Sequence, residues 1–143
     1  SQVDTLLQEA AQEVFEWLRP CHPHGVGALK TNQKWRVGNK AIVDYAVEPG
    51  WVQGYRLDTH REAKFRTLGN VFSLLDGQGV QRSPDDLCTQ LRAGLGRAES
   101  GAQVSTPYVN LKPYKNGHAH LTFRRHDLVD KLNQLGGNGT LTP

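Results

Sequence analysis

The sequence predicts an α+β fold in which a mostly antiparallel sheet, built from two hairpins plus a further strand, packs against about four helices. Three observations lead to this prediction. The dipeptides Gly38-Asn39 and Asn116-Gly117 each separate two segments with a strand-like pattern. Apolar residues recur at helical spacing near both ends of the chain and between the hairpins. At 143 residues, the chain can bury a core without help from disulfide bonds.

The first part of the chain combines a helix with a hairpin. Residues 3–18 place apolar side chains at helical spacing opposite an acidic face, which predicts an amphipathic helix. After a loop, residues 34–37 and 40–47 are predicted to pair through their Gly-Asn turn. We expect residues 51–57 to form a third antiparallel strand.

Two helices are predicted between the hairpins. Thr59 followed by Glu62 has the spacing of a capping box, and apolar residues continue at helical spacing to a stop at Asp76-Gly77. Residues 83–86 carry the pattern of another helix start. The inward-facing residues of this second helix are predicted to be Leu87, Cys88, Leu91 and Leu95.

The last third of the chain carries the clearest signals. Residues 108–114 and 118–124 flank Asn116-Gly117, which strongly favours a tight hairpin turn. Pairing Lys115 with His118 sets the predicted register. This register predicts a buried face of Tyr108, Tyr114, Ala119, Leu121 and Phe123. The opposite face would hold Lys115, His118, His120, Thr122 and Arg124. A final helix is expected from Asp127.

Composition argues against several protein classes. Hydrophobic residues make up 37% of the chain and charged residues 22%, and no apolar run is long enough for a membrane span. Cys21 and Cys88 are too few for a disulfide scaffold, and no segment resembles a signal peptide, which favours a cytoplasmic location. The sequence begins at Ser1 and contains no methionine, so we expect residues 1–143 to be a single domain excised from a longer protein.

The charge distribution indicates a polyanionic partner. The chain carries 17 Lys and Arg against 14 Asp and Glu, a net charge of +3. Because residues 1–19 hold four acidic residues and a single arginine, the remainder of the chain is more basic than the total suggests. A basic body suggests a polyanion such as nucleic acid, but the excess is modest, and many proteins with no nucleic-acid function carry a similar one.

The polar face of the last hairpin is the strongest candidate site. Arginine recognises phosphate with two parallel hydrogen bonds, lysine supplies a point charge, and neutral histidine can bond base edges. The first hairpin is expected to support this surface. The predicted nucleic-acid-binding residues are Lys115, His118, His120, Arg124 and Arg125, with Lys30, Lys34, Arg36 and Lys40. The alternative is an ordinary solvated face whose positive residues protect the sheet edge from aggregation.

Two catalytic or metal-binding alternatives fit less well. His22, His24, His118 and His120 form two H-x-H pairs, but no established zinc-binding spacing is present, and we predict neither a metal nor a cofactor. His120 is the candidate catalytic residue of a small nuclease that would use Lys115 or Arg124 to stabilise developing charge. Residues 58–60 are better explained by helix capping than by acid–base chemistry.

Aromatic residues interleaved with basic ones offer a single-strand alternative. Stacking platforms for unpaired bases have this composition, although alternating aromatics in strands are more often half-buried sheet residues. The aromatic candidates are Trp35, Tyr45, Trp51, Tyr55, Tyr108 and Tyr114. Their basic neighbours are Lys34, Arg36, Lys40, Arg56, Lys112 and Lys115.

The same hairpin resembles a known family. Residues 114–123, Y-K-N-G-H-A-H-L-T-F, followed by Arg124 and by residues 127–133, D-L-V-D-K-L-N, are similar to a signature of an uncharacterised bacterial domain family. That signature reads aromatic-K-N-G-N-x-H-L-x-F-x-R and then D-L-V-x-x-x-N. Residues 30–40 and 68–77 also resemble the family, and the likeness spans about residues 11–136.

The resemblance implies a biological setting but no reaction. The family occurs in phage, plasmid and integrative-element proteins, sometimes beside adenine-type DNA methyltransferase or helicase modules. His118 stands where the family usually has asparagine, whereas His120 falls on the family's histidine. We therefore expect a non-catalytic accessory domain that binds nucleic acid, with DNA as the expected form, for a modification or helicase activity carried elsewhere. The alternatives are the small nuclease and a protein-interaction or anti-defence module.

Overall fold

The computed structural model describes residues 2–18 and 36–136, which form four helices and six strands. The helices are α1 (Gln2–Trp17), α2 (Thr59–Leu75), α3 (Leu87–Leu95) and α4 (His126–Gly136). The strands are β1 (Lys40–Val43), β2 (Val47–Pro49), β3 (Tyr55–Leu57), β4 (Val104–Ser105), β5 (Val109–Pro113) and β6 (Ala119–Phe123). Within these ranges, no helix is both long enough and apolar enough to cross a bilayer.

The strands form two antiparallel sheets, and the predicted α+β class is confirmed. The larger sheet has the order β1-β6-β5-β4, so β6 lies between an early strand and its own hairpin partner. Strands β2 and β3 form a separate two-stranded sheet. The start of β2 is joined to the turn of the β5–β6 hairpin, because the Ala46 and Val47 N–H groups both donate to the Gly117 carbonyl.

The core lies between the inner face of the larger sheet and the helices. The residues of β5 and β6 alternate between buried and outward-facing positions, as expected for a sheet covered on one side. Phe72 of α2 meets Phe123 of β6 edge to face, with ring centroids 5.7 Å apart. Helix α1 packs against α2 and α4. Helices α1 and α4 lie so close together that a methyl group added at Gly136 of α4 would collide with Phe15 of α1.

A buried asparagine attaches the chain before β1 to α4. The Val37 N–H donates to Asn133 Oδ1 (2.7 Å), and Asn133 Nδ2 donates to the Val37 carbonyl (2.9 Å). Asn133 is 1% exposed, so these two bonds satisfy polar groups that water does not reach. The pairing holds residues 36–37 in place without strand hydrogen bonds.

The first predicted hairpin is wrong in its pairing. Residues 36–37 are not in a strand, and β1 pairs with β6 rather than with these two residues. Residues 34–35 lie outside the described part of the chain. The predicted strand 40–47 is interrupted by a turn at Asp44-Tyr45, where Tyr45 has a φ of 52°. The local sequence pattern favoured the neighbouring segment as the partner of β1, whereas in the structure β1 pairs with β6, at the edge of the distant β5–β6 hairpin.

The third predicted strand is also shorter than expected. Residues 51–54 form a turn, and Tyr55–Leu57 alone is in a strand, where it pairs with Val47–Pro49. This arrangement makes the second sheet a small hairpin. Its tip carries Trp51 and Val52, which are 88% and 95% exposed.

The last hairpin is where the sequence predicted it, but its register is shifted by one residue. Tyr114, rather than Lys115, lies opposite His118: the Tyr114 N–H donates to the His118 carbonyl (2.9 Å). The loop therefore has three residues and ends at Gly117, whose φ of 94° favours glycine. Because successive strand residues face opposite sides, this shift moves Tyr114 to the outer face and brings Lys112 there as well.

The N-cap of helix α2 lies one residue before the predicted cap. Asp58, not Thr59, has the extended backbone of an N-cap, and its Oδ1 accepts the His60 N–H (2.8 Å). This bond lowers the pKa of the Asp58 carboxyl. Asp86 caps α3 by accepting the Thr89 N–H (3.1 Å). Helix capping is therefore the role of Asp58, and Cys88 is buried as predicted.

The asparagine anchor should be important for stability. Replacing Asn133 with alanine leaves the Val37 N–H and carbonyl buried without partners, so we expect the free energy of unfolding to fall by about 2–4 kcal/mol. Urea denaturation measures this loss. The matched control is Gln134→Ala on the exposed face of the same helix, which should change stability by less than about 0.5 kcal/mol. Equal effects of the two substitutions would contradict the anchor.

Candidate nucleic-acid interface

The register places a set of polar and aromatic side chains on the side of the larger sheet that faces away from the core. Across three strands, Lys40 lies opposite Thr122, and His120 lies between Ile42 and Lys112. One row further, Tyr114 lies opposite His118. We call this surface the outer face. It consists of Lys40, Ile42, Lys112, Tyr114, His118, His120 and Thr122, all exposed or half-buried.

The outer face forms one wall of an open cavity of about 720 Å³. The described residues that line it include four permanent cations, two histidines and a single carboxylate, Asp44. Excluding the histidines, this lining carries as large an excess of positive charge as the whole chain, whose net charge is +3. A concave surface of one sign concentrates the electric field and attracts ligands of opposite charge. The four cations are Arg36, Lys40, Arg61 and Lys112.

The carboxylate in the cavity is committed to one of the four cations. Arg61 Nη2 lies 3.9 Å from Asp44 Oδ1, and Arg61 Nε donates to the Asp44 carbonyl (3.4 Å). Arg36, Lys40 and Lys112 form no ion pair within residues 2–18 and 36–136. Their charges are therefore not neutralised by any described carboxylate. This leaves three side chains able to bind an anion.

Two aromatic rings lie side by side on the outer face. The centroids of the Tyr114 and His120 rings are 4.5 Å apart, with an interplanar angle of 48°. Tyr114 is diagonal to His120 in the pairing of β5 with β6, within reach for a long aromatic side chain. The predicted register placed Tyr114 in the core, so this contact was not expected. A predicted loop of three residues, rather than two, would have placed Tyr114 and His120 on the same face.

The other predicted residues on the hairpin lie away from this cavity wall. Lys115 is exposed in the three-residue loop. Arg124 is exposed at the opposite end of β6, where its Nη1 donates to the Thr106 carbonyl (2.9 Å). Lys30 and Lys34 lie outside the described residues. The structure thus brings together Arg36, Lys40, His118 and His120 from the predicted set, and adds Lys112 and Arg61.

Arg125 is engaged in the fold. Its Nη2 bonds Asp76 Oδ1 and Asp127 Oδ2, each at 2.9 Å, and its Nε donates to Asp127 Oδ1 (3.0 Å). The Tyr108 hydroxyl donates to the second oxygen of Asp76 (2.9 Å). These contacts join the end of α2 to the starts of β5 and α4. Arg125 lowers the pKa of both carboxyls, whereas burial and Asp76 raise the pKa of Tyr108.

The alternatives from the sequence can be placed on the same structure. Among residues 2–18 and 36–136, no group of three His, Cys, Asp or Glu side chains could hold a metal ion, and His22 and His24 lie outside these ranges. Of the aromatic candidates, Tyr55 and Tyr108 are buried and unavailable for stacking. Tyr45 and Trp51 are exposed but do not line the cavity, and Trp35 is not described.

Comparison with known families assigns the chain to an uncharacterised group. The family described as "Domain of unknown function (DUF4942)" matches residues 1–139. The chain belongs to this family. Comparisons with curated proteins and with solved structures give no match. The predicted resemblance to an uncharacterised domain family is therefore confirmed. The description of the DUF4942 family names no activity.

The structure explains several residues in the runs that carried the resemblance. Asp76, at the end of the run 68–77, pairs with Arg125, which follows the hairpin motif. Asn133, the last residue of the run D-L-V-D-K-L-N, is the anchor of Val37. Asp76 and Asn133, which belong to these runs, therefore have structural roles. The histidine at 120 has no such role among the described contacts, and its ring faces the cavity.

The ion pairs of Arg125 should make stability depend on acidity. Because the folded-state pKa values of Asp76 and Asp127 lie below 3.8, their contribution is present above that pH and is lost as the pH falls through the folded values. We expect Arg125→Gln to lower the urea midpoint at neutral pH. The difference in urea midpoint between Arg125→Gln and the unmodified protein should become smaller in acid, where both carboxyls are protonated.

The control for this prediction is Arg97→Gln, which removes an exposed arginine that forms no ion pair with the described residues. It should leave the urea midpoint unchanged at both pH values. A difference for Arg125→Gln that is equally large in acid and at neutral pH would show that the ion pairs are not its cause.

Proposed function

We propose that this DUF4942 domain binds nucleic acid through the outer face of its four-stranded sheet. The observation that carries the proposal is the cavity lined by four permanent cations and two histidines against one carboxylate. Three of these cations have no ionic partner among the described residues. A phosphate backbone is the common biological ligand that offers a row of negative charges to such a surface.

The arrangement of the two lysines supports contacts with more than one phosphate. Lys40 and Lys112 lie on strands that flank β6 on opposite sides and are offset by two residues along the strands, so their backbones are roughly 12 Å apart. Their flexible stems allow each ammonium group to follow a separate phosphate. His120 lies on the strand between them, and His118 immediately precedes that strand; both side chains can donate to phosphates or bond base edges.

The remaining predicted contacts extend this surface at its two ends. Lys115 in the hairpin loop and Arg124 at the end of β6 are both exposed. Arg36 is held beside the cavity by the Asn133 anchor of its neighbour Val37. Arg125 has a structural role because its guanidinium already bonds two carboxylates.

The proposal extends to DNA as the bound form and to an accessory role. The resemblance described above implies phage, plasmid and integrative-element proteins in which such domains lie beside methyltransferase or helicase modules. A domain that binds the phosphate backbone would hold DNA for a reaction catalysed by another part of the same protein or by a protein of the same operon. No residue of the outer face needs a catalytic role in this proposal.

Neutralising the outer face should weaken binding and reduce its salt dependence. We expect the double variant Lys40→Ala/Lys112→Ala to bind labelled DNA about tenfold more weakly. The slope of log affinity against log salt should decrease by about 1.5, because two phosphate contacts are lost. Fluorescence anisotropy over a series of salt concentrations measures both quantities.

The matched control removes the same charge from another surface. Arg82 and Arg97 are exposed, and neither side chain forms an ion pair within the described residues. Arg82→Ala/Arg97→Ala should leave the affinity and the salt slope close to those of the unmodified protein. Equal losses in both double variants would assign binding to net charge alone. Absence of binding by the unmodified protein would overturn the proposal and direct attention to a protein partner.

A second candidate function, cleavage of the bound strand, is favoured by one observation. Two imidazoles, His118 and His120, lie on the same face with Lys112 directly opposite His120, which places a base, an acid and a cation together. The partner for His120 would therefore be Lys112 rather than Lys115 or Arg124.

Denaturing electrophoresis of the same mixtures separates binding from cleavage. The accessory role predicts that oligonucleotides remain intact with and without divalent metal ions. Shortened products that disappear in His120→Ala, with binding retained, would establish the nuclease instead. His126→Ala serves as the control, because His126 is exposed at the start of α4 and does not line the cavity.

A further inference from the structure

The ring pair on the outer face has the properties of a stacking surface. Tyr114 and His120 lie 4.5 Å apart, and both line the cavity. Ile42, on the other side of His120, is 65% exposed. Ile42, His120 and Lys112 therefore form a row across three strands that is apolar, then aromatic, then cationic.

Such a row matches the chemistry of an unpaired nucleotide. A base offers a flat, weakly polar face that stacks on aromatic rings and contacts apolar groups, and its phosphate offers the negative charge. In a duplex, base faces are covered by their neighbours and only base edges are accessible in the grooves. A closed duplex therefore offers no base face that could stack on the rings of Tyr114 and His120.

The size of the cavity is consistent with the same ligand. Its volume of about 720 Å³ lies in the range of clefts that enclose a small organic ligand, about 300–1,000 Å³. An unpaired nucleotide can enter such a space while its neighbours continue along the exposed lysines. The single carboxylate of the lining, Asp44, is occupied by Arg61 and does not oppose a phosphate at Lys112.

From these observations we infer that the outer face recognises single-stranded nucleic acid. One base stacks on the Tyr114–His120 pair, and the adjoining phosphates lie on Lys112 and Lys40. The inference rests on the proposed function and specifies its substrate. It assigns a binding role to Tyr114, which no charge argument would select.

The test compares three labelled DNA probes at one salt concentration. They are a single strand of about 12 nucleotides, a duplex of the same sequence, and an abasic strand of the same length that keeps the phosphates but lacks the bases. We expect the unmodified protein to bind the single strand about tenfold more tightly than either other probe. This comparison needs no variant and is unaffected by folding defects.

Two substitutions then locate the stacking surface. Tyr114→Leu should weaken binding of the single strand about tenfold and leave binding of the abasic strand unchanged, because only the base contact is lost. Tyr114→Phe keeps the ring and should restore most of the affinity for the single strand. Circular dichroism and the thermal midpoint of each variant report whether it is folded.

The outcomes distinguish this inference from the proposed function. Binding of duplex or abasic DNA as tight as binding of the single strand would overturn the inference but leave nucleic-acid binding intact. An equal loss for Tyr114→Leu on the single and abasic strands would also overturn it. Failure to bind any of the three probes would overturn both. Base-dependent binding that is lost in Tyr114→Leu and recovered in Tyr114→Phe would support the inference.

Discussion

The register of the β5–β6 hairpin is the constraint on which the core and the candidate site both depend. Tyr114 opposite His118 places Val109 and Leu111 in the core, opposite Phe123 and Leu121. The same alternation places Lys112, Tyr114 and His120 on the outer face. Because the side-chain period of a strand is two, a shift of one residue in β5 would bury its lysine and expose its aliphatic residues. The three-residue loop ending at Gly117 therefore determines both surfaces.

Other interactions hold the sheet so that this hairpin can serve as a rigid platform. β1 covers the free edge of β6 and brings Lys40 and Ile42 beside the histidines. The Asn133 anchor fixes the chain that enters β1. At the far end, Arg125 joins Asp76 of α2 to the start of α4. Each of these contacts is distant in sequence, so the outer face is assembled only when the domain folds.

The sequence predicted the elements that local pattern can specify. The amphipathic spacing of α1 and α4 and the Asn116-Gly117 turn are visible in short windows, and the structure contains all three. Thr59 and Asp58 both resemble caps in the sequence, and only backbone geometry shows that Asp58 has that role. The pairing of β1 with β6 could not be predicted, because it joins segments about eighty residues apart and neither carries a local mark of its partner.

The candidate site could be predicted only in part, because local pattern identifies residue types but not the long-range contacts that bring them together. His118, His120, Lys40 and Arg36 could be selected from residue type and strand position, and all four line the cavity. Lys112 and Tyr114 were candidates only for the single-strand alternative and were not placed on this face, because a two-residue and a three-residue loop both suit Asn-Gly. The choice between the two loops decides which face these residues occupy. Arg61 was missed because it belongs to α2, and no local signal brings the first turn of that helix to the sheet. Arg125 resembled a phosphate ligand, and its two carboxylate partners become visible only in three dimensions.

The most direct test of the central claim is a titration of the isotope-labelled protein with single-stranded DNA, followed by the backbone amide signals in two-dimensional NMR spectra. The account predicts that the largest shifts cluster on the outer face, at Lys40, Ile42, Lys112, Tyr114 and His120, while α3, none of whose residues lines the cavity, is unaffected. Shifts centred on another surface, or spread evenly over the chain, would contradict the assignment of the outer face as the binding surface.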